Sequence, residues 1–314
     1  MTATYKNQKA WKEVESFLPE KYHYNENYCP REEHWNWRGN NVHLDTFRNP
    51  QAKAKIIMFH GVGTNGRQIS MIIGGPLAQD GYETISVDMP TYGVTKVEKG
   101  QNISYDDWVQ CGSDLIDREL EKDDRPIFLY GLSAGGMETY HVAAKNKKVK
   151  GIIGMTFLDQ RSKDVQMTTT SNWFWGTFGT RLTKMATNMG LSKFKMKMSI
   201  PSKMSALVND PACLKVMLND ATSGGNKVSM RFMNSYMTYA PEVEPENFNV
   251  CPVLLTQPDA DKWTPQWLSD PFLDKLTHVK VTRTTLRNGS HYPIEETALT
   301  DLYEAMRSFI EENI

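Results

Sequence analysis

Residues Ile127-Phe128-Leu129-Tyr130-Gly131-Leu132-Ser133-Ala134-Gly135-Gly136 read as a short buried strand, a tight turn and the first turn of a helix. Four consecutive apolar residues suit a strand covered on both faces, and Met137 to Ala144 continue with a helix-compatible pattern. A serine at the apex of such a G-x-S-x-G turn is forced into a strained backbone conformation. Glycine flanks it because a side chain would strike the adjoining strand or helix. The hydroxyl then projects above the sheet edge at a helix N-terminus, where the dipole favours developing negative charge. A plain glycine-rich turn is the alternative, and the strand before and helix after it argue for a nucleophile at Ser133.

Outward from this turn, short apolar runs recur at Ile56 to Phe59, Thr84 to Val87, Ile152 to Phe157, Val253 to Thr256 and Val279 to Thr282. Helix-compatible stretches at Ile72 to Gln79 and Trp108 to Leu120 lie between them. This alternation predicts an α/β fold with a doubly wound, mostly parallel central sheet and helices on both faces. Ahead of it, His34 to Phe47 alternates around Gly39-Asn40-Asn41, as an antiparallel hairpin at one sheet edge would. Tyr5, Trp11, Val14 and Leu18 recur at near-helical spacing before Pro19, which predicts a short amphipathic helix against the body.

The alternation lapses between residues 158 and 246, a segment that holds 10 of the 17 methionines. We therefore expect a core of residues 1–157 and 247–314, interrupted by an inserted lid at 158–246.

Charge and length limit the partners. The 314 residues carry 36 Lys and Arg against 37 Asp and Glu, a formal net charge of -1, so no global field draws the chain to nucleic acid or acidic lipid. A small uncharged molecule is the expected partner. Cys29, Cys111, Cys213 and Cys251 have no metal-ligand spacing and read as reduced core thiols. Met1 to Leu18 lacks the apolar run of a signal peptide, and no long apolar stretch follows, so a soluble cytoplasmic protein is expected.

A nucleophilic serine needs a base, an orienting acid and an oxyanion site. His60-Gly61-Val62-Gly63 follows the Ile56 to Phe59 run, at the carboxyl end of a strand where ligands bind in open α/β sheets. The backbone N–H groups of Val62 and Ala134 are the expected oxyanion donors. The His60 side chain reads as structural. Of seven histidines, His291 alone follows the last strand on a loop before the terminal helix, and it is the candidate base. The acid should follow the Val253 to Thr256 strand. Asp261, four residues before Pro265, is preferred over Asp259 and the more distant Asp159.

Together the His60 to Gly63 turn, the Gly131 to Gly136 elbow, Asp261 with Pro265 and Gly289 with His291 resemble the α/β-hydrolase superfamily. The likeness is greatest to its lid-bearing monoacylglycerol lipase, lysophospholipase and serine aminopeptidase-like group. The resemblance implies the α/β-hydrolase fold, with these positions supplying oxyanion hole, nucleophile, acid and base. It departs from the group after the second core strand, where Thr91 and Thr95 stand in place of the usual glycine and serine in Asp88-Met89-Pro90-Thr91-Tyr92-Gly93-Val94-Thr95.

The insertion has more large apolar side chains than a solvent-facing loop needs. Either they line an acyl pocket, with Trp175, Met189 and Phe194 as substrate-binding candidates, or they pack the lid on the core. Arg181, Lys184, Lys193, Lys195, Lys197 and Lys203 occur there with no acid among them, which reads first as a solvated lid face and second as a membrane contact.

The expected activity is hydrolysis of a carboxylic ester with an apolar acyl group through an acyl-Ser133 intermediate, without metal or organic cofactor. An acyltransferase or thioesterase could use the same residues. A non-catalytic ligand-binding protein of this fold has no chemical need for all of them together.

Overall fold

The computed structural model describes residues 3–314, so the reading of Met1 and Thr2 lies outside the described residues. Eight strands form the central sheet: β1 (Arg31–Trp37), β2 (Asn40–Phe47), β3 (Lys55–Phe59), β4 (Glu83–Val87), β5 (Ile127–Gly131), β6 (Gly151–Gly154), β9 (Val253–Pro258) and β10 (Val281–Leu286). Two three-residue strands, β7 (Lys195–Lys197) and β8 (Lys227–Ser229), pair separately. The sheet order is β1-β2-β4-β3-β5-β6-β9-β10; the β1–β2 and β2–β4 pairings are antiparallel and the remaining five are parallel. The helices are α1 (Ala10–Glu15), α2 (Gly66–Ile69), α3 (Gly75–Gln79), α4 (Tyr105–Leu120), α5 (Ala134–Asn146), α6 (Lys163–Thr169), α7 (Trp173–Ala186), α8 (Pro211–Asn219), α9 (Met230–Thr238), α10 (Asp270–Leu273) and α11 (Glu296–Asn313).

Strands β3, β4, β5, β6 and β9 are buried along their whole length, as continuous apolar runs under helices on both faces require. The hairpin turns on Arg38-Gly39, both at positive φ, which matches the right-handed twist of the strands it joins. Helix α4 begins at a reciprocal cap in which Ser104 and Asp107 satisfy each other's backbone donors. Tyr5, Trp11, Val14 and Leu18 are all buried, so the N-terminal segment packs against the body. Cys111, Cys213 and Cys251 are core thiols; Cys29 is not, because it lies exposed just before β1.

A buried charged network ties the N-terminal segment, the hairpin and the end of β4 together. The Tyr5 hydroxyl donates to both oxygens of Asp88 at 2.9 and 3.0 Å, and the Gly66 and Val94 amides donate to the same carboxylate. His43 Nδ1 lies 2.9 Å from Asp88 and its Nε2 3.1 Å from Glu32. Burial opposes a charge on His43, but these carboxylates raise its pKa to about 10.

Thr91 and Thr95 follow β4. Thr95 accepts from the His43 amide and donates to the Asp88 carbonyl, which stitches this turn to the hairpin. Thr91 sits at φ +85°, a region glycine adopts freely and a β-branched residue does not.

Candidate active site

Ser133 lies between β5 and α5 with φ 57° and ψ -122°, a strained conformation that costs about 1–3 kcal/mol. The glycines around it are required by close approach. A Cβ on Gly131 would come within 1.9 Å of the Gly135 carbonyl oxygen, and one on Gly135 within 2.4 Å of the Phe59 carbonyl oxygen. The turn is thereby pressed against β3, and Ser133 is held at the rim of the sheet beside Gly61.

His291 comes from the loop between β10 and α11, and Asp261 from the loop after β9. Parallel pairing of β9 and β10 brings their carboxyl ends together. His291 Nδ1 lies 2.8 Å from Asp261 Oδ2, and both side chains are buried. Asp261 Oδ1 accepts from the Trp263 and Thr264 amides at 2.7 and 2.9 Å, while its Oδ2 accepts from the Thr264 hydroxyl at 2.7 Å. Burial works against ionisation of this carboxyl, but the neighbouring His291 and these hydrogen bonds outweigh it and hold the pKa at about 2. An ionised carboxylate only accepts, so Nδ1 carries the proton and Nε2 keeps its lone pair. That Nε2 is buried with no hydrogen-bond partner among the described residues. Catalytic hydrogen bonds of this kind often close only when substrate is bound.

Asp259 is exposed and accepts from the Asn288 amide, so it buttresses the histidine loop from outside. Asp159 is engaged by Arg161, which also pairs with Glu244. His60 Nε2 accepts from the Met89 amide at 3.0 Å, which places its proton on Nδ1 for donation to the Gly61 carbonyl at 2.8 Å. Both ring nitrogens are thus spent on the loop, in agreement with a structural role. The amides of Val62 and Ala134 donate to no backbone or side-chain acceptor among the described residues. Ala134 opens the thirteen-residue α5, so its free amide stands at the positive end of the helix dipole.

Ser133 opens onto a cavity of about 610 Å³, mouth included. Val62, Trp263 and Thr264 share its core side, and residues 158–246 supply the rest of the wall, including Leu158, Met198, Pro201, Met233, Tyr236 and Met237. None of the lining residues carries a charge.

Trp175, Met189 and Phe194 do not line it. Met189 and Phe194 are 69% and 62% exposed, and Trp175 packs edge-on against Phe174. Met189 and Phe194 lie beyond the end of α7 and turn outward, which periodicity alone does not reveal. The wall is built instead by Met233, Tyr236 and Met237 of α9, whose i, i+3, i+4 spacing was the available signal. Thr264, bridging Asp261 and His291, was also missed; its place one residue before Pro265 carries no motif.

The fold and this arrangement define an α/β-hydrolase. More narrowly, residues 50–298 match the serine aminopeptidase S33 family, and the chain belongs to it. Among solved structures it is similar to a soluble variant of monoglyceride lipase from Saccharomyces cerevisiae in complex with a substrate analogue. The TM-score is 0.74 at 15% identity, over 93% of this chain and 98% of that one. It is also similar to the monoacylglycerol lipase of Paleococcus ferrophilus, with TM-score 0.67, 19% identity, and 87% and 100% coverage. The ferulic acid-bound Est1E of Butyrivibrio proteoclasticus gives 0.60, 16%, and 90% and 98%. At these identities the likenesses establish the fold. No curated protein matches the chain in sequence.

Proposed function

We propose that the protein is a serine esterase of lipase-like type, acting on a neutral carboxylic ester through an acyl-Ser133 intermediate. The observation that supports this reading is a strained Ser133 at an uncharged cavity, together with a buried His291 whose Nδ1 lies against Asp261 and whose Nε2 has no hydrogen-bond partner among the described residues. His291 takes the Ser133 proton as Oγ attacks the ester carbonyl, and the Val62 and Ala134 amides receive the oxyanion. The proton passes to the departing alcohol. Water, deprotonated by the same Nε2, then releases the acid and restores Ser133.

The uncharged wall favours an ester over an N-terminal peptide substrate. An aminopeptidase must hold a protonated α-amine, and burying an ammonium without a carboxylate is costly. Residues 158–246 act in this reading as a cap that encloses the acyl group, and the monoglyceride lipase neighbours supply a chemical precedent for such a substrate.

A fluorophosphonate should label Ser133 alone, and Ser133→Ala or His291→Ala should each lower ester turnover by about 10³-fold or more while leaving the fold intact. Full activity in either folded variant would overturn the proposal. A panel of ester, thioester and amide substrates, with an added alcohol as acceptor, separates hydrolysis from acyl transfer.

A further inference from the structure

Eight of the ten large apolar side chains left exposed among the described residues fall between Met167 and Ile200, so the exposure is local to one part of the cap. On α7 and the turn after it, Phe174, Phe178, Arg181, Met185 and Met189 follow one another at three- or four-residue spacing and share one stripe. Phe174 is in aromatic contact with Trp173 and Phe178, at 6.4 and 5.6 Å between ring centroids. Trp173 itself is 67% exposed. Leu191 and Phe194 continue the patch beyond α7. On β7 the alternation places Lys195 and Lys197 outward and Met196 against the core.

The charges on this face are of one sign. Arg181, Lys184, Lys193, Lys195 and Lys197 are exposed, and none makes an ion pair among the described residues. No acid occurs between Asp164 and Asp210. The patch also reaches the cavity rim, since exposed Ile200 precedes Pro201 and exposed Met167 lies just before Thr169 and Thr170, all three of which line the cavity.

We propose that this face docks on an anionic lipid bilayer, with α7 lying in the headgroup region and the cavity mouth turned to the membrane. Aromatic and methionine side chains would enter the headgroup–acyl boundary, and the unpaired cations would sit against lipid phosphates. A second copy of the chain is a poor occupant, because a two-fold contact would bring two sets of unpaired cations together without an acid. No helix among the described residues is long and apolar enough to cross a membrane, so the contact is peripheral.

The test uses the full chain as Ser133→Ala, so that binding is read independently of the esterase proposal. Co-sedimentation with vesicles of phosphatidylcholine plus phosphatidylglycerol should be at least about tenfold tighter than with phosphatidylcholine alone, and should weaken as salt is raised. Lys193→Glu/Lys195→Glu/Lys197→Glu should erase the preference for anionic vesicles. Phe174→Asp/Met185→Asp should weaken binding to either kind, with circular dichroism melts verifying the fold of both variants. Should either variant fail to fold, a blue shift of tryptophan emission on adding anionic vesicles, lost in Trp173→Phe, tests the same contact. The proposal is overturned by absence of binding to anionic vesicles, by equal binding of the charge-reversed variant, or by a solution dimer that Phe174→Asp dissociates.

Discussion

The two aspartates after β9 are separated by one residue and serve different ends. Asp261 is buried and accepts from His291, two amides and a hydroxyl, whereas Asp259 is exposed and accepts from the Asn288 amide. Asp261→Asn places an amide where the imidazole needs an acceptor and favours the wrong tautomer, so turnover should fall by about 10³–10⁴-fold. Asp259→Asn should cost less than about tenfold, since the Asn side-chain oxygen can still accept from Asn288. Steady-state kinetics on a soluble ester compares them, and the reverse ranking would move the orienting role to Asp259. At this scale the sequence was informative because Ser133, His291 and Asp261 occur where strand order demands polar loops. Thr264 escaped notice because a threonine bonding a neighbouring loop looks like any other.

Among the elements, the buried strands announced themselves more sharply than the edge strand β10. Continuous apolar runs located β3, β4 and β5 to within a residue, but β10 begins at Val281 rather than Val279 and extends to Leu286. Its Thr282, Arg283, Thr284 and Thr285 belong to an edge strand open to solvent, so they show little hydrophobic signal. Likewise β6 stops at Gly154 although the apolar run continues, because the Phe157 amide turns away to the Ser269 hydroxyl. The turn after β4 adds strain that the sequence only hinted at by departing from its relatives. Thr91 at φ +85° has a buried hydroxyl without a hydrogen-bond partner among the described residues, while its carbonyl accepts from Asn226. Thr91→Gly relieves the strain and keeps the carbonyl contact, and its greater unfolded-state entropy offsets only part of the gain. We expect stabilisation of about 1 kcal/mol, read as a higher denaturant midpoint. A lower midpoint would show that the threonine is accommodated without strain.

For the whole molecule, the sheet followed from pattern, while the outward turn of α7 and the segment after it did not. Periodicity marks which residues share a helix face but not which way that face points, and α7 points away from the core. Stability against pH is also a property of this scale, because the His43 network joins the N-terminal segment, the hairpin and β4. A histidine raised from 6.5 to about 10 contributes fully below pH 6.5, and that contribution declines as pH rises toward 10. Glu32, which its hydrogen bonds and the His43 charge hold at about 2 despite burial, contributes above pH 4.5 and loses its part as pH falls toward 2. We therefore expect the melting temperature to fall by about 5 °C between pH 6.5 and 9. His43→Gln should melt lower at pH 6.5 and show a flatter alkaline limb. An unchanged wild-type melting temperature across that range would refute the linkage.

Strands β6 and β9 lie side by side, Ile152 opposite Val253, although the whole cap separates them in the chain. During synthesis from the ribosome, β6 is therefore an open sheet edge until β9 has been made, and an unpaired edge of that kind invites association with other nascent chains. The Ser133 turn is made before Asp261 and His291, with the whole of residues 158–246 synthesised between them. In the proposed mechanism, a nascent chain therefore holds its nucleophile without its base until both later loops have been made.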